Sequence, residues 1–93
     1  MKFEWDESKA DANLKKHGVS FEEAKTVFDN PMAIIFDDEA HSIDEQREII
    51  IGHYRENRLL LVSFTERSIS VRIISARLVT RKEREDYEQN AFQ

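Results

Sequence analysis

Val71-Arg72-Ile73-Ile74-Ser75-Ala76-Arg77 combines a β-branched run with two arginines. Val and Ile favour a pleated, buried strand. Arginine's planar fork pairs bidentately with phosphate and keeps its charge at any physiological pH. The same seven residues therefore suit both a sheet core and an anion. Parity complicates the second use. Side chains alternate along an unbroken strand, so Arg72 and Arg77, five apart, face opposite sides. Both serve one site only if a bulge near Ser75-Ala76 intervenes or Arg77 lies past the strand end.

The flanks extend this stretch into a sheet. Arg47 to Arg55 and Arg58 to Arg67 read as strands joined by a two-residue turn at Glu56-Asn57, where Asn57 accepts positive φ. A tight connection at Ser68-Ile69 leads to the strand Ser70 to Leu78, so three consecutive strands form an antiparallel meander. Each large aliphatic side chain buried there contributes roughly 1.5–3 kcal/mol, which makes the meander the main source of stability.

Helices flank the sheet. Met1 to Trp5 reads as a short strand, and Asp6 is an N-cap for a helix over Glu7 to His17 that Gly18 ends as a left-handed C-cap. Ser20-Phe21-Glu22-Glu23 is a capping box opening a second helix, with Phe21, Ala24, Val27 and Phe28 on its apolar face and Asp29-Asn30-Pro31 closing it. Met32 to Phe36 is a further candidate strand. Thr80-Arg81-Lys82-Glu83 is a second capping box and starts the last helix, where Tyr87 lies one turn beyond Glu83. The fold class is therefore α+β.

With 93 residues, 40% of them hydrophobic, and only one Pro and two Gly, the chain is expected to form a single domain over 1–93. It has no cysteine, so no disulfide or thiolate metal site is available. The acidic run from Asp37 to Glu45 reads as a solvated loop, because hard-cation loops need regular oxygen spacing and a glycine at the sharp turn. Neither metal nor cofactor is expected. The longest apolar runs, Ile49 to Ile51 and Leu59 to Val62, are far too short for a membrane span, and the expected location is cytoplasmic.

A net charge of −5 argues against a general nucleic-acid binder. Its distribution is uneven. Residues 1–66 hold 8 Lys/Arg against 15 Asp/Glu, whereas residues 67–93 hold 6 against 4. The basic patch falls on the arginine-bearing strand and on Arg81, Lys82 and Arg84, whose position near a helix N-terminus opposes the helix dipole and suits an anion, or else leaves them as solvated charges.

Arg67, Arg72 and Arg77 are thus the informative set, the bland alternative being that each pairs with an acid such as Glu66 or Glu83. In an ordered set of motifs the chain resembles the BrnT-type toxins of bacterial type II toxin–antitoxin systems, which have the RelE-like ribonuclease fold. The resemblance lies in Phe3-Glu4-Trp5-Asp6 with Lys9, Asn13-Leu14, Lys16-His17-Gly18-Val19-Ser20-Phe21-Glu22-Glu23-Ala24 and Val27-Phe28. It resumes at Arg47, Gly52, Thr65-Glu66-Arg67 and Arg72 to Arg77, and ends at Thr80, Glu83, Arg84 and Tyr87. A tryptophan common after the first of these arginines is replaced by Glu48.

The resemblance implies metal-free RNA cleavage that slows translation. It also implies neutralisation by a BrnA-like ribbon-helix-helix antitoxin, through which alone the complex meets operator DNA. Such cleavage needs a base for the ribose 2′-OH, an acid for the leaving 5′-oxygen and donors for the phosphorane-like transition state. Arg67 and Arg77 are expected in the last role, with Arg72 next. His17 is a candidate for proton transfer because imidazole titrates near neutrality, although a histidine there also caps the helix. Tyr87 is a candidate phosphate or base contact, with core packing as its alternative. Arg72, Arg81, Lys82, Arg84 and Lys9 are expected to bind RNA, and His41 and His53 are read as surface or sheet residues. A non-catalytic module that only engages an antitoxin or operator complex is the competing function.

Overall fold

The computed structural model describes residues 1–55 and 58–91, so the expected turn at Glu56-Asn57 lies outside the described residues. The elements are β1 (Lys2–Glu4), α1 (Glu7–His17), α2 (Phe21–Thr26), β2 (Ile34–Asp37), β3 (Glu48–Arg55), β4 (Arg58–Arg67), β5 (Ser70–Leu78) and α3 (Arg81–Ala91). One-turn 3₁₀ helices cover Val27–Asp29 and Glu39–His41. The α+β class, the two N-terminal helices, the meander and the closing helix agree with the sequence. The second helix is shorter than expected, tightening into a 3₁₀ turn after Thr26. The second strand starts later than expected, because Asn30 Oδ1 accepts the Met32 N–H at 2.9 Å and holds Met32 in a turn.

The caps form as their sequences dictate. The Asp6 carboxylate accepts the N–H groups of Ser8 and Lys9, Gly18 sits at φ +70°, and Ser20 and Glu23 close a reciprocal capping box. At the last helix Thr80 Oγ1 accepts the Glu83 N–H at 3.2 Å while Glu83 Oε1 accepts the Thr80 N–H at 2.8 Å. Ser68 takes φ 49° in the β4–β5 connection, a left-handed conformation that lets the chain reverse at once.

The strands form one sheet in the order β1-β5-β4-β3-β2. The meander β3-β4-β5 is antiparallel, β2 adds antiparallel to β3, and β1 adds parallel to β5. One face of the sheet packs against α1 and α2 through Val19, Phe21, Ala24 and Val27, which meet Ile50, Leu60, Val62, Phe64, Val71, Ile73 and Ala76. Phe28 bridges Phe3 and Phe64 edge-on, with centroid distances of 5.0 Å to each. The opposite face carries a smaller core of Ile51, Leu59, Leu61 and Tyr87 under α3.

A single polar side chain fastens α1 to β5. Buried Asn13 donates to the carbonyls of Val19 at 3.0 Å and Ala76 at 2.8 Å, and its Oδ1 accepts the Ala76 N–H at 3.1 Å. Gly52 keeps the sheet close to the chain beyond α2, because a Cβ there would lie 2.9 Å from Ala33 Cβ and 3.1 Å from Val27 Cγ1.

The parity of the arginines is decided in the β4–β5 register. Ser63 pairs with Ser75 while the next residue, Phe64, pairs with Ile73, so Ile74 is an extra residue on β5. This bulge resets the alternation. Arg72 lies opposite Thr65 and Arg77 opposite Leu61, and since 65 and 61 share a face of β4, so do the two arginines.

Candidate functional site

The face bearing the arginines is only partly covered by α3. Beside that helix runs an open groove between the sheet, the N-terminal end of α3 and the loop between β2 and β3. One part, a cleft of about 280 Å³, is lined by Asp38, His41, Arg47, Ser63, Ser75, Arg77 and Glu83 among others. The adjoining part is lined by His41, Asp44, Glu45, Arg47 and Arg67. His41 and Arg47 line both, so the two parts adjoin along a channel that has Arg67 at one end and Arg77 at the other.

Each arginine of the informative set has a carboxylate partner. Arg77 makes a two-pronged contact with Glu83, Nη1 to Oε1 at 2.8 Å and Nη2 to Oε2 at 2.9 Å. The Arg77 guanidinium and the Thr80 N–H together hold the Glu83 carboxyl down at about 2, against the opposing effect of burial. The same pairing pushes Arg77 up. Glu83 thereby joins two tasks, capping α3 and fixing Arg77 at the groove wall. Arg67 reaches Glu45 at 3.2 Å, and Arg72 reaches Glu4 at 2.9 Å. Glu4 also accepts from the Ser70 hydroxyl, and these two donors lower its carboxyl.

Arg47, the last residue before β3, differs from these three. Its guanidinium has no hydrogen bond or ion pair among the described residues, and it lines both parts of the groove. The sequence motif included Arg47 without assigning it a task. The structure makes it an open cation of the channel among the described residues.

The sequence reads His41 as a surface or sheet residue; in the structure it is exposed, and it also lines both parts of the groove. The turn Glu39–His41 folds its ring back on Asp38, with Nδ1 at 3.1 Å and 3.0 Å from the two carboxylate oxygens. This turn is tied to the sheet. The Asp38 N–H donates to the Arg47 carbonyl at 2.9 Å, the Arg47 N–H donates to Ser42 Oγ at 2.9 Å, and Ser42 Oγ donates to the Asp38 carbonyl at 2.6 Å. The available sequence signal was the Asp38-x-x-His41 spacing, which one helical turn converts into contact.

Other expected residues lie elsewhere. His17 ends α1, which packs on the opposite face of the sheet, so it does not share the channel with Arg77; Lys9 is on that same helix. Tyr87 is 1% exposed, its hydroxyl donates to the Met32 carbonyl at 2.7 Å, and burial raises its pKa. It is a packing residue, and the expected phosphate or base contact gives way to the core alternative. Arg72 shares the face of Arg77 but is held at the β1 edge by Glu4 and does not line the groove. Arg81 and Lys82 pair with Glu85 and Asp86 one turn on, and Arg84 shares their helix; none of the three lines the channel. Glu48 lies at the strand end, its carboxyl pushed up by burial and by the neighbouring Glu66 and Asp37.

Among the described residues, no three His, Asp or Glu side chains converge as a metal-binding group. Nor is any helix there long and apolar enough to cross a membrane.

Residues 5–83 match the family model described as the ribonuclease toxin BrnT of type II toxin–antitoxin systems. Among solved structures, the chain is similar to the Brucella abortus ribonuclease toxin BrnT. The likeness has a TM-score of 0.69 at 26% identity over 87% of this chain and 99% of that one. No curated protein sequence matches.

Proposed function

This chain belongs to the BrnT family of ribonuclease toxins of type II toxin–antitoxin systems, and from that premise we propose that it cuts RNA without a metal ion in the Arg67–Arg47–Arg77 channel. In the cell this cleavage inhibits translation. A BrnA-like ribbon-helix-helix antitoxin neutralises it, and the pair meets operator DNA through the antitoxin; the site of action is the cytoplasm. The observation carrying the proposal is the channel itself, where Arg47 has no ion-pair partner among the described residues and Arg77 is anchored on a sheet strand by Glu83.

The chemistry follows from the donors. A ribose 2′-OH attacks the adjacent phosphorus, and negative charge grows on the two non-bridging oxygens. Guanidinium groups along the channel stabilise that charge, one well-aimed donor being worth roughly 3 kcal/mol. Arg47 meets the phosphate directly. Arg77 offers its edge once Glu83 yields part of its hold, and Arg67 does so once the exposed pair with Glu45 opens. Ser63 and Ser75, facing each other across β4 and β5, add hydroxyls to the floor.

Incubation of the purified chain with single-stranded RNA in EDTA is the test. The expected products carry 2′,3′-cyclic phosphate and 5′-hydroxyl ends, and a 2′-deoxy nucleotide at the scissile position blocks the cut. Cleavage that appears only when a divalent cation is restored contradicts the metal-free mechanism.

The pairing of Arg67, Arg72 and Arg77 with their own carboxylates favours a second reading, a binding module that engages an antitoxin without cutting RNA. In that case induced expression of the wild type, of Arg67→Ala and of Arg77→Ala leaves growth equally unaffected, and none cuts RNA.

A further inference from the structure

We propose that His41, oriented by Asp38, is the general base that takes the 2′-OH proton in this channel, an assignment that rests on the ribonuclease function proposed above. The geometry has three parts. A carboxylate oxygen accepts, so the Asp38 contact places the proton of a neutral imidazole on Nδ1 and leaves Nε2 as the free, basic nitrogen. The orienting acid is sheltered, with its side chain 14% exposed, whereas the imidazole is 66% exposed and open to a ligand. The turn is locked to the start of β3 by the Asp38, Ser42 and Arg47 hydrogen bonds, which keep the pair on the groove that Arg47 also lines. A sheltered carboxylate orienting an open histidine on a groove that an arginine also lines is an arrangement suited to proton abstraction from a ribose hydroxyl.

The step balances without a further reagent except water. Nε2 takes the 2′ proton, the 2′-oxygen–phosphorus bond forms, and the phosphorus–5′-oxygen bond breaks. The departing 5′-oxygen takes a proton from water, and the products are a 2′,3′-cyclic phosphate and a 5′-hydroxyl. Around the imidazole stand Asp38 in its own turn, Asp44 and Glu45 in the following loop, and Arg47 before β3. Arg67 of β4, Arg77 of β5 and Glu83 of α3 complete the charged surroundings. Arginines on the sheet side hold the phosphate, while the carboxylate on the loop side stabilises the imidazolium formed by the transfer.

Single-turnover cleavage of RNA by the full chain, followed across pH, tests the assignment. Wild type is expected to show the ascending limb of an imidazole base. His41→Gln is expected to lose that limb and to cleave roughly 10²–10⁴-fold more slowly, with partial recovery on adding free imidazole to His41→Ala. Binding of a 2′-deoxy oligonucleotide of the same sequence, which carries no proton to abstract, is expected to stay within a few-fold of wild type. Asp38→Asn is expected to fall between wild type and His41→Gln. If wild type cleaves and His41→Gln cleaves equally well with an unchanged pH profile, His41 is not the base while the ribonuclease function stands. If His41→Gln loses oligonucleotide binding in proportion to rate, the histidine only holds RNA and the assignment is overturned. If wild type cuts no RNA at any pH, both fall together.

Discussion

The two faces of the sheet are built from the same strands and made for different ends. Under α1 and α2 the surface is closed by interlocking rings and β-branched side chains, and its buried polar fastener, Asn13, has both ends of its amide satisfied. Under α3 a smaller apolar cluster occupies only part of the face, and the remainder is a strip of Arg67, Arg77 and His41, each beside a carboxylate, together with Arg47. The closed face supplies stability, and the open one holds the charges on which the proposed function rests. The bulge at Ile74 joins the two, since it keeps Val71, Ile73 and Ala76 in the closed core while turning both Arg72 and Arg77 to the open side. Without it, the strand has to give up either a core position or an arginine.

Substitutions on the two faces should therefore separate stability from chemistry. The largest stability effect is expected at Phe64, 1% exposed and stacked edge-on with Phe28. Phe64→Ala should lower the unfolding free energy by about 3–5 kcal/mol in a urea titration. Asn13→Ala comes next. It leaves buried backbone groups of Ala76 and Val19 without their partner, with an expected loss of about 1–3 kcal/mol in the same titration. Because Ala76 precedes Arg77, the variant is also expected to cleave more slowly, which makes it the one helix-side change that reaches the channel.

The Glu83 carboxyl provides a pH test on the open face. Its folded value of about 2 lies below the ordinary 4.5, so the contribution of the Arg77–Glu83 pair is fully present above about pH 4.5 and is lost as pH falls toward 2. Arg77 is 37% exposed, and solvent screening reduces that contribution to about 1 kcal/mol. The stability gap between wild type and Glu83→Gln, measured by urea unfolding, is expected to be constant from pH 7 to 5 and to close between pH 4.5 and 2. A gap that widens on acidification contradicts the pairing. The smallest effect is expected at Arg81, 94% exposed, where Arg81→Ala should change the unfolding free energy by less than about 0.5 kcal/mol.

Local chemistry made much of the fold legible. Asp6, Gly18, Ser20 with Glu23 and Thr80 with Glu83 mark helix ends by hydrogen bonds that form within a few residues, and all four form as read. The runs at 49–51 and 59–62 announce buried strands in the same way. What depends on distant partners was not legible. The parallel pairing of Lys2–Glu4 with Ser70–Arg72 joins opposite ends of the chain. The bulge has no glycine or proline to mark it, so the possibility of a common face for Arg72 and Arg77 was visible in the sequence but its realisation was not. At the site, Arg77 and its alternative partner Glu83 were both foreseen, and they occur together. His17 and Tyr87 have reactive side chains on motif positions, yet one lies across the sheet and the other is buried. His41, by contrast, sits in an acidic stretch without periodicity, and only the folding of that stretch against Arg47 reveals its surroundings.

The central claim is that the open face, and Arg77 on it, stabilises the transition state of RNA cleavage. Its most direct test is the single-turnover rate of RNA cleavage by Arg77→Ala in EDTA, with wild type measured alongside. A rate lower by roughly 10²–10³-fold is predicted, the loss typical of removing one donor to a developing oxyanion. Cleavage by Arg77→Ala at the wild-type rate would contradict it.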